Sequence, residues 1–196
     1  SEVKFETSAS AGTDDQEHSL YNGNVSVTAK VTDIINDQDA SSGIKEISAV
    51  VTKDGKETEN FKPYMFEGET TKENIQLSLS KDYNFVVDAE KNNSCNVIAH
   101  VTVKDNAGNE KTYDLPLDID ITPPKVVVDF SDTKKDDAKE NCFTSRTATV
   151  TITERTHHFN AQKATDSIKI TAENAKGEAV SNAYEISTWT TTEGKT

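Results

Sequence analysis

The chain has 196 residues, enough for one or two domains that each bury a core. Its 34 acids against 21 Lys and Arg give a formal net charge of −13, which argues against duplex nucleic acid and anionic membrane surfaces as partners. Only 33% of residues are hydrophobic, and no apolar run nears the roughly 20 residues of a membrane span.

Taken in order, Val3-Lys4-Phe5 alternates and predicts a first strand. Residues 9–24 are polar, hold Gly12 and Asn22-Gly23, and read as a loop. Val25, Val27, Ala29 and Val31 recur at every second position, the period of a half-buried strand. An acidic loop over residues 33–43 leads into a strand over 44–52, with Ile47, Ala49 and Val51 on one face. Asp54-Gly55 supplies positive φ at low cost and marks a tight turn. Residues 61–66 form a weak strand interrupted by Pro63, which places it at a sheet edge. Ile75, Leu77 and Leu79 alternate, and residues 83–87 read either as a strand or as a crossing loop. Val97, Ala99, Val101 and Val103 alternate into the turn Asp105-Asn106-Ala107-Gly108-Asn109, and Tyr113, Leu115, Leu117 and Ile119 return from it. Short strands with frequent turn signals and no helical period predict an all-β chain built as a two-sheet antiparallel sandwich.

At Asp118-Ile119-Asp120-Ile121-Thr122-Pro123-Pro124 the pattern stops. Two prolines remove two backbone donors and fix φ, so no central strand passes through them. The residue before each is held extended. We read this as a stiff connector and a domain boundary, with one sandwich over residues 1–122 and a second over 123–196. The pattern then restarts: Val126-Val127-Val128-Asp129-Phe130 matches Val3-Lys4-Phe5, and Ala148, Val150 and Ile152 match Val25, Val27 and Ala29. Ile168 and Ile170 match Ile47 and Ala49. That is an internal repeat of about 120 residues whose second copy is incomplete, so the protein is expected to continue beyond Thr196.

Three stretches carry a resemblance: Val103-Lys104-Asp105-Asn106-Ala107-Gly108-Asn109-Glu110, Asp120-Ile121-Thr122-Pro123-Pro124-Lys125-Val126, and residues 146–155 followed by Trp189-Thr190. Together they resemble the tandem immunoglobulin-like repeats of large bacterial surface proteins. The resemblance implies an extracellular, non-catalytic stalk or adhesion module that spaces or presents other domains. It also implies a protein or glycan on a host or neighbouring cell as partner, and a monomer. The first repeat departs from the pattern in having no Trp. The alternative is an accessory, carbohydrate-binding module of a secreted multidomain enzyme.

Successive strands alternate direction, so loops sort to two poles. Asp33, Asp37, Asp39 and the 105–109 turn share one; Asp88, Glu90, Asp118 and Asp120 share the other, beside the connector. Asp118 and Asp120, spaced i, i+2 on an extended chain, join Asp88, Glu90 and Glu154 as candidate calcium ligands. Acidic loops that only keep the protein soluble are the competing reading. His157-His158 point to opposite faces in an extended chain and make a poor metal pair; His18 and His100 are isolated. No nucleophile elbow and no Cys in a catalytic context is present, so no enzyme activity is expected. Lys4 and Asp114 are the only pair to nominate for an intramolecular amide, and Tyr64, Phe66, Tyr184 and Trp189 for a sugar platform. Cys95 and Cys142 sit too far apart along a sandwich to form a disulfide.

Overall fold

The computed structural model describes residues 1–13, 18–33, 41–68, 71, 78–135, 143–153 and 176–179. Every described regular element is a strand, as the alternating sequence requires. In chain order they are β1 (Glu2–Thr7), β2 (Gly12–Thr13), β3 (Ser19–Tyr21), β4 (Val25–Thr32), β5 (Ile44–Lys53), β6 (Lys56–Asn60), β7 (Tyr64–Met65), β8 (Ser80–Val87), β9 (Ser94–Asp105), β10 (Glu110–Ile119), β11 (Lys125–Lys135) and β12 (Phe143–Thr153).

The first ten strands make two sheets. One has the order β1-β4-β8; the other has the order β2-β3-β10-β9-β5-β6, with β7 also pairing β5. The period of two decides which side chains meet. Val25, Val27, Ala29 and Val31 of β4 and Tyr83, Phe85 and Val87 of β8 point inward from the first sheet. Ile44, Ile47, Ala49 and Val51 of β5, Val97, Ala99, Val101 and Val103 of β9, and Leu117 and Ile119 of β10 join them in one core. Nearly all of these inward aliphatic side chains are fully buried. Each such valine or isoleucine stabilises the sandwich by roughly 1.5–3 kcal/mol.

Among the described strands all pairs are antiparallel except one. The chain begins in the smaller sheet as β1 and then crosses to the larger one. There β3 lies parallel to β10, with Leu20 opposite Asp118 and Tyr21 opposite Ile119. Residues 9–24, expected as loop, therefore hold two short strands. Residues 83–87 belong to strand β8 rather than a crossing loop. Lys56–Asn60 is a strand that polar composition concealed. Asp54 and Gly55, with φ of 51° and 75°, form the two-residue turn that joins β5 to it. Pro63 interrupts the same edge of β5 between β6 and β7. Ile75 and Leu77 lie outside the described residues, and Leu79 sits in the bend before β8.

β11 and β12 form a separate two-stranded sheet. Its register pairs Val126 with Ile152, Val128 with Val150, and Phe130 with Ala148. In β1–β4 the pairs are Val3 with Val31 and Phe5 with Ala29. If Val126 or Val128 stands for Val3, its partner Ile152 or Val150 stands for Val31. The match of Ala148 to Val25 expected from sequence must then shift by two or four residues. Val126, Val128 and Val150 are 55%, 48% and 47% exposed.

By contacts the chain divides into a unit of Ser1–His157 and a unit of His158–Thr196. Of the second, only residues 176–179 are described, with Gly177 at a φ of 76°. The expected strand at Ile168 and Ile170, and Cys142, His157, His158, Tyr184 and Trp189, lie outside the described residues.

Candidate functional site

The connector leaves the larger sheet at the pole where the acids Asp88, Glu90, Asp118 and Asp120 were expected. The turn between β8 and β9 does reach it. Asn93 Nδ2 donates to Thr122 Oγ1 at 2.9 Å, and the Ile121 N–H donates to Asn93 Oδ1 at 3.4 Å. On the opposite side the Asp120 N–H donates to the Tyr21 carbonyl at 2.8 Å, extending the β3–β10 pairing by one bond. Asp120 Oδ1 accepts the Thr122 N–H at 2.8 Å, a local turn that short acidic side chains favour.

Beneath that turn lies a polar network. Asn92 is fully buried. Its Oδ1 accepts from Thr58 Oγ1 at 2.5 Å, and its Nδ2 donates to Glu59 Oε2 at 2.6 Å and to the Asp88 carbonyl at 2.9 Å. Glu59 also accepts the Asp88 N–H at 3.0 Å. Lys91 Nζ stands 3.6 Å from Glu59 and 3.7 Å from Asp88. Asn24 anchors the same turn through the Ala89 N–H at 2.9 Å. The turn is thus tied to β6 and to the start of β4.

These bonds decide what the expected calcium ligands do. The Asp88 carboxylate faces the Glu90 N–H and Lys91. Asp118 lies half-buried on β10 opposite Leu20, and Glu90 is exposed. Glu154 is outside the described residues. Among the described residues, no three His, Cys, Asp or Glu side chains are grouped to hold a metal ion. Beside the connector is a groove of about 240 Å³ lined by Ala11, Gly12, Leu20, Tyr21, Asn22, Asp120 and Thr122.

The far pole is held by two buried acids. Asp33 accepts from Gly43 N–H, Ser41 Oγ and Ser1 Oγ. Asp105 accepts from the Asn109 N–H and Nδ2, both at 2.8 Å. Burial alone would raise the Asp105 carboxyl above its ordinary value. Hydrogen bonds from Asn109, Ser42 and Ala107 together outweigh it and hold the group low. Asn106 closes this pole by bonding the Ser42 and Gly43 carbonyls.

One row was missed in the sequence. On the outer face of the larger sheet, His100 Nδ1 is 2.7 Å from Asp114 Oδ1 and His100 Nε2 is 2.9 Å from Thr52 Oγ1. The order Thr–His–Asp is that of a nucleophilic relay. It stands on a continuous β5-β9-β10 ladder whose amides pair with neighbouring strands. The backbone N–H groups of these paired strands are spent on the ladder and do not present an oxyanion site. The row therefore reads as a cross-strand ladder, continued by Thr102 and Thr112 at 2.9 Å. The signal was available: a hairpin centred on 105–109 sets His100 opposite Asp114.

Three further expectations meet geometry. Lys4 is on β1 of the smaller sheet, whereas Asp114 is on β10 of the larger and bonded to His100. Tyr64 packs against the core with Lys81 Nζ 4.7 Å above its ring, and Phe66 is half-buried. Cys95 is half-buried at the start of β9, and Cys142, expected not to pair with it, lies outside the described residues.

No protein-family model, curated protein or solved structure matches the chain. No described helix is long and apolar enough to cross a membrane.

Proposed function

We propose that the chain is a non-catalytic structural module of a large extracellular bacterial surface protein, with immunoglobulin-like repeats that space or present other domains. One observation carries the reading. The path into and out of the sandwich lies at opposite poles, and the exit is short and pinned. Ser1 sits beside Asp33 at one pole; at the other, residues 120–124 separate β10 from β11 and are bonded to Tyr21 and Asn93. A load applied along that axis shears β1 against β4 and β3 against β10, so their hydrogen bonds resist together. The strand order supports the immunoglobulin-like assignment, with the first strand split between the sheets and a parallel pairing to the last.

Single-molecule pulling between residues 1 and 125 tests the role. One cooperative rupture of the whole sandwich is expected. Successive small ruptures, strand by strand, would count against load bearing. Retention of the chain on insoluble polysaccharide would move the assignment to an accessory module of a secreted enzyme.

A further inference from the structure

We propose that Asn93 is a latch that makes residues 120–122 part of the sandwich, so that the ordered backbone runs without a break from β10 to the stiff Pro123-Pro124 pair. Strand β10 ends at Ile119, yet the backbone does not become independent there. The Asp120 N–H is held by Tyr21, the Thr122 N–H by Asp120, and the Thr122 hydroxyl by Asn93. Residues on both flanks of the connector thus grip it: the end of β3 on one side, the 88–93 turn on the other. The grip is rigid because its base is rigid. Asn92, next to Asn93, is fully buried and bonded to Thr58, Glu59 and Asp88. From Pro123 onward no N–H is available for two residues, so the grip cannot extend further and stiffness passes to fixed φ angles. The Asn93 amide uses both ends, donating to Thr122 and accepting from Ile121. An aspartate there would lose the donor and place a second carboxylate beside Asp120.

This deepens the spacer reading and rests on it for its purpose, while the latch itself is a statement about backbone order. The test is ¹⁵N relaxation on the full chain, wild type against Asn93→Ala and Thr122→Val. Thr122→Val keeps a β-branched side chain and leaves the 88–93 turn intact, so it reports even if Asn93→Ala fails to fold. Amide order parameters of Ile121 and Thr122 should fall from about 0.85 toward 0.6 or below in each folded variant. Those of β4 and β9 should stay unchanged. Unchanged order at Ile121 and Thr122 in Thr122→Val overturns the latch. A strand-by-strand rupture with the latch intact would overturn the spacer reading alone.

Discussion

The carboxylate of Asp33 accepts the backbone N–H of Gly43 at 2.9 Å across a separation of ten residues. It thereby ties the end of β4 to the start of β5, strands of opposite sheets. Ser41 and Ser1 hydroxyls donate to the same carboxylate, which is 4% exposed. Removing a buried acceptor leaves its donors without a partner, at about 1.5–3 kcal/mol for a charged group. Asp33→Ala is expected to lower unfolding stability by that amount in urea titration. Asp33→Asn retains one acceptor oxygen and should cost less. Equal and small effects from both would remove Asp33 as a tie.

Asp105 gives the protein an acid-sensitive turn. Its folded carboxyl is held below the ordinary 3.8 despite burial, by Asn109, Ser42 and Ala107. A depressed carboxylate contributes stability that is fully present above its unfolded value and is lost as pH falls through the folded one. The wild type should therefore hold its melting temperature down to about pH 4 and then lose part of it below. Asp105→Asn should be less stable at pH 7 and show a shallower acid limb. An identical acid limb in the variant would dissociate Asp105 from it.

The frame of the sandwich was legible because β4, β5 from Ile47 and β9 from Val97 bury every second residue, as Leu117 and Ile119 do at the end of β10, and period two survives in any context. What escaped was non-local. Ser19-Leu20-Tyr21 is too short for any period, and its strand exists because Asp118 and Ile119 lie alongside. Lys56-Glu57-Thr58-Glu59-Asn60 reads as solvated loop, yet edge strands are often charged because their free side faces water. The Asp54-Gly55 turn was its only local announcement. At the connector pole, sorting loops by strand direction did bring the Asp88 turn to Asp120. It could not tell whether the acids there face one another or face amides. Asn92 and Asn93 carry that pole, and neither stands out in a run of polar residues.

Calcium at the connector is testable directly. Asp88 and Asp120 each spend a carboxylate oxygen on a backbone N–H, of Glu90 and Thr122 respectively, and Lys91 stands by Asp88. A cation needs six to eight oxygens, which these bonds compete against. The melting temperature is expected to stay unchanged between millimolar calcium and chelator. A reversible rise, blunted by Asp120→Asn, would instead establish a site among Asp88, Glu90, Asp118, Asp120 and Glu154 by mass action.

The His100 row supplies the last expectation. His100 bonds Asp114 on β10 and Thr52 on β5, so one imidazole joins three strands. The Asp114 side chain is 58% exposed, so solvent and salt screen the pair. A double-mutant cycle with His100→Ala and Asp114→Ala should give a coupling of about 0.2–1 kcal/mol that shrinks in high salt. Thr52→Val preserves shape and strand preference and should change stability by less than about 0.5 kcal/mol. The same variant also tests the chemical reading of the row. The wild type should hydrolyse an activated ester no faster than Thr52→Val does. A rate that depends on Thr52, His100 and Asp114 together would mean that the sheet face is a relay for acyl transfer and not a ladder.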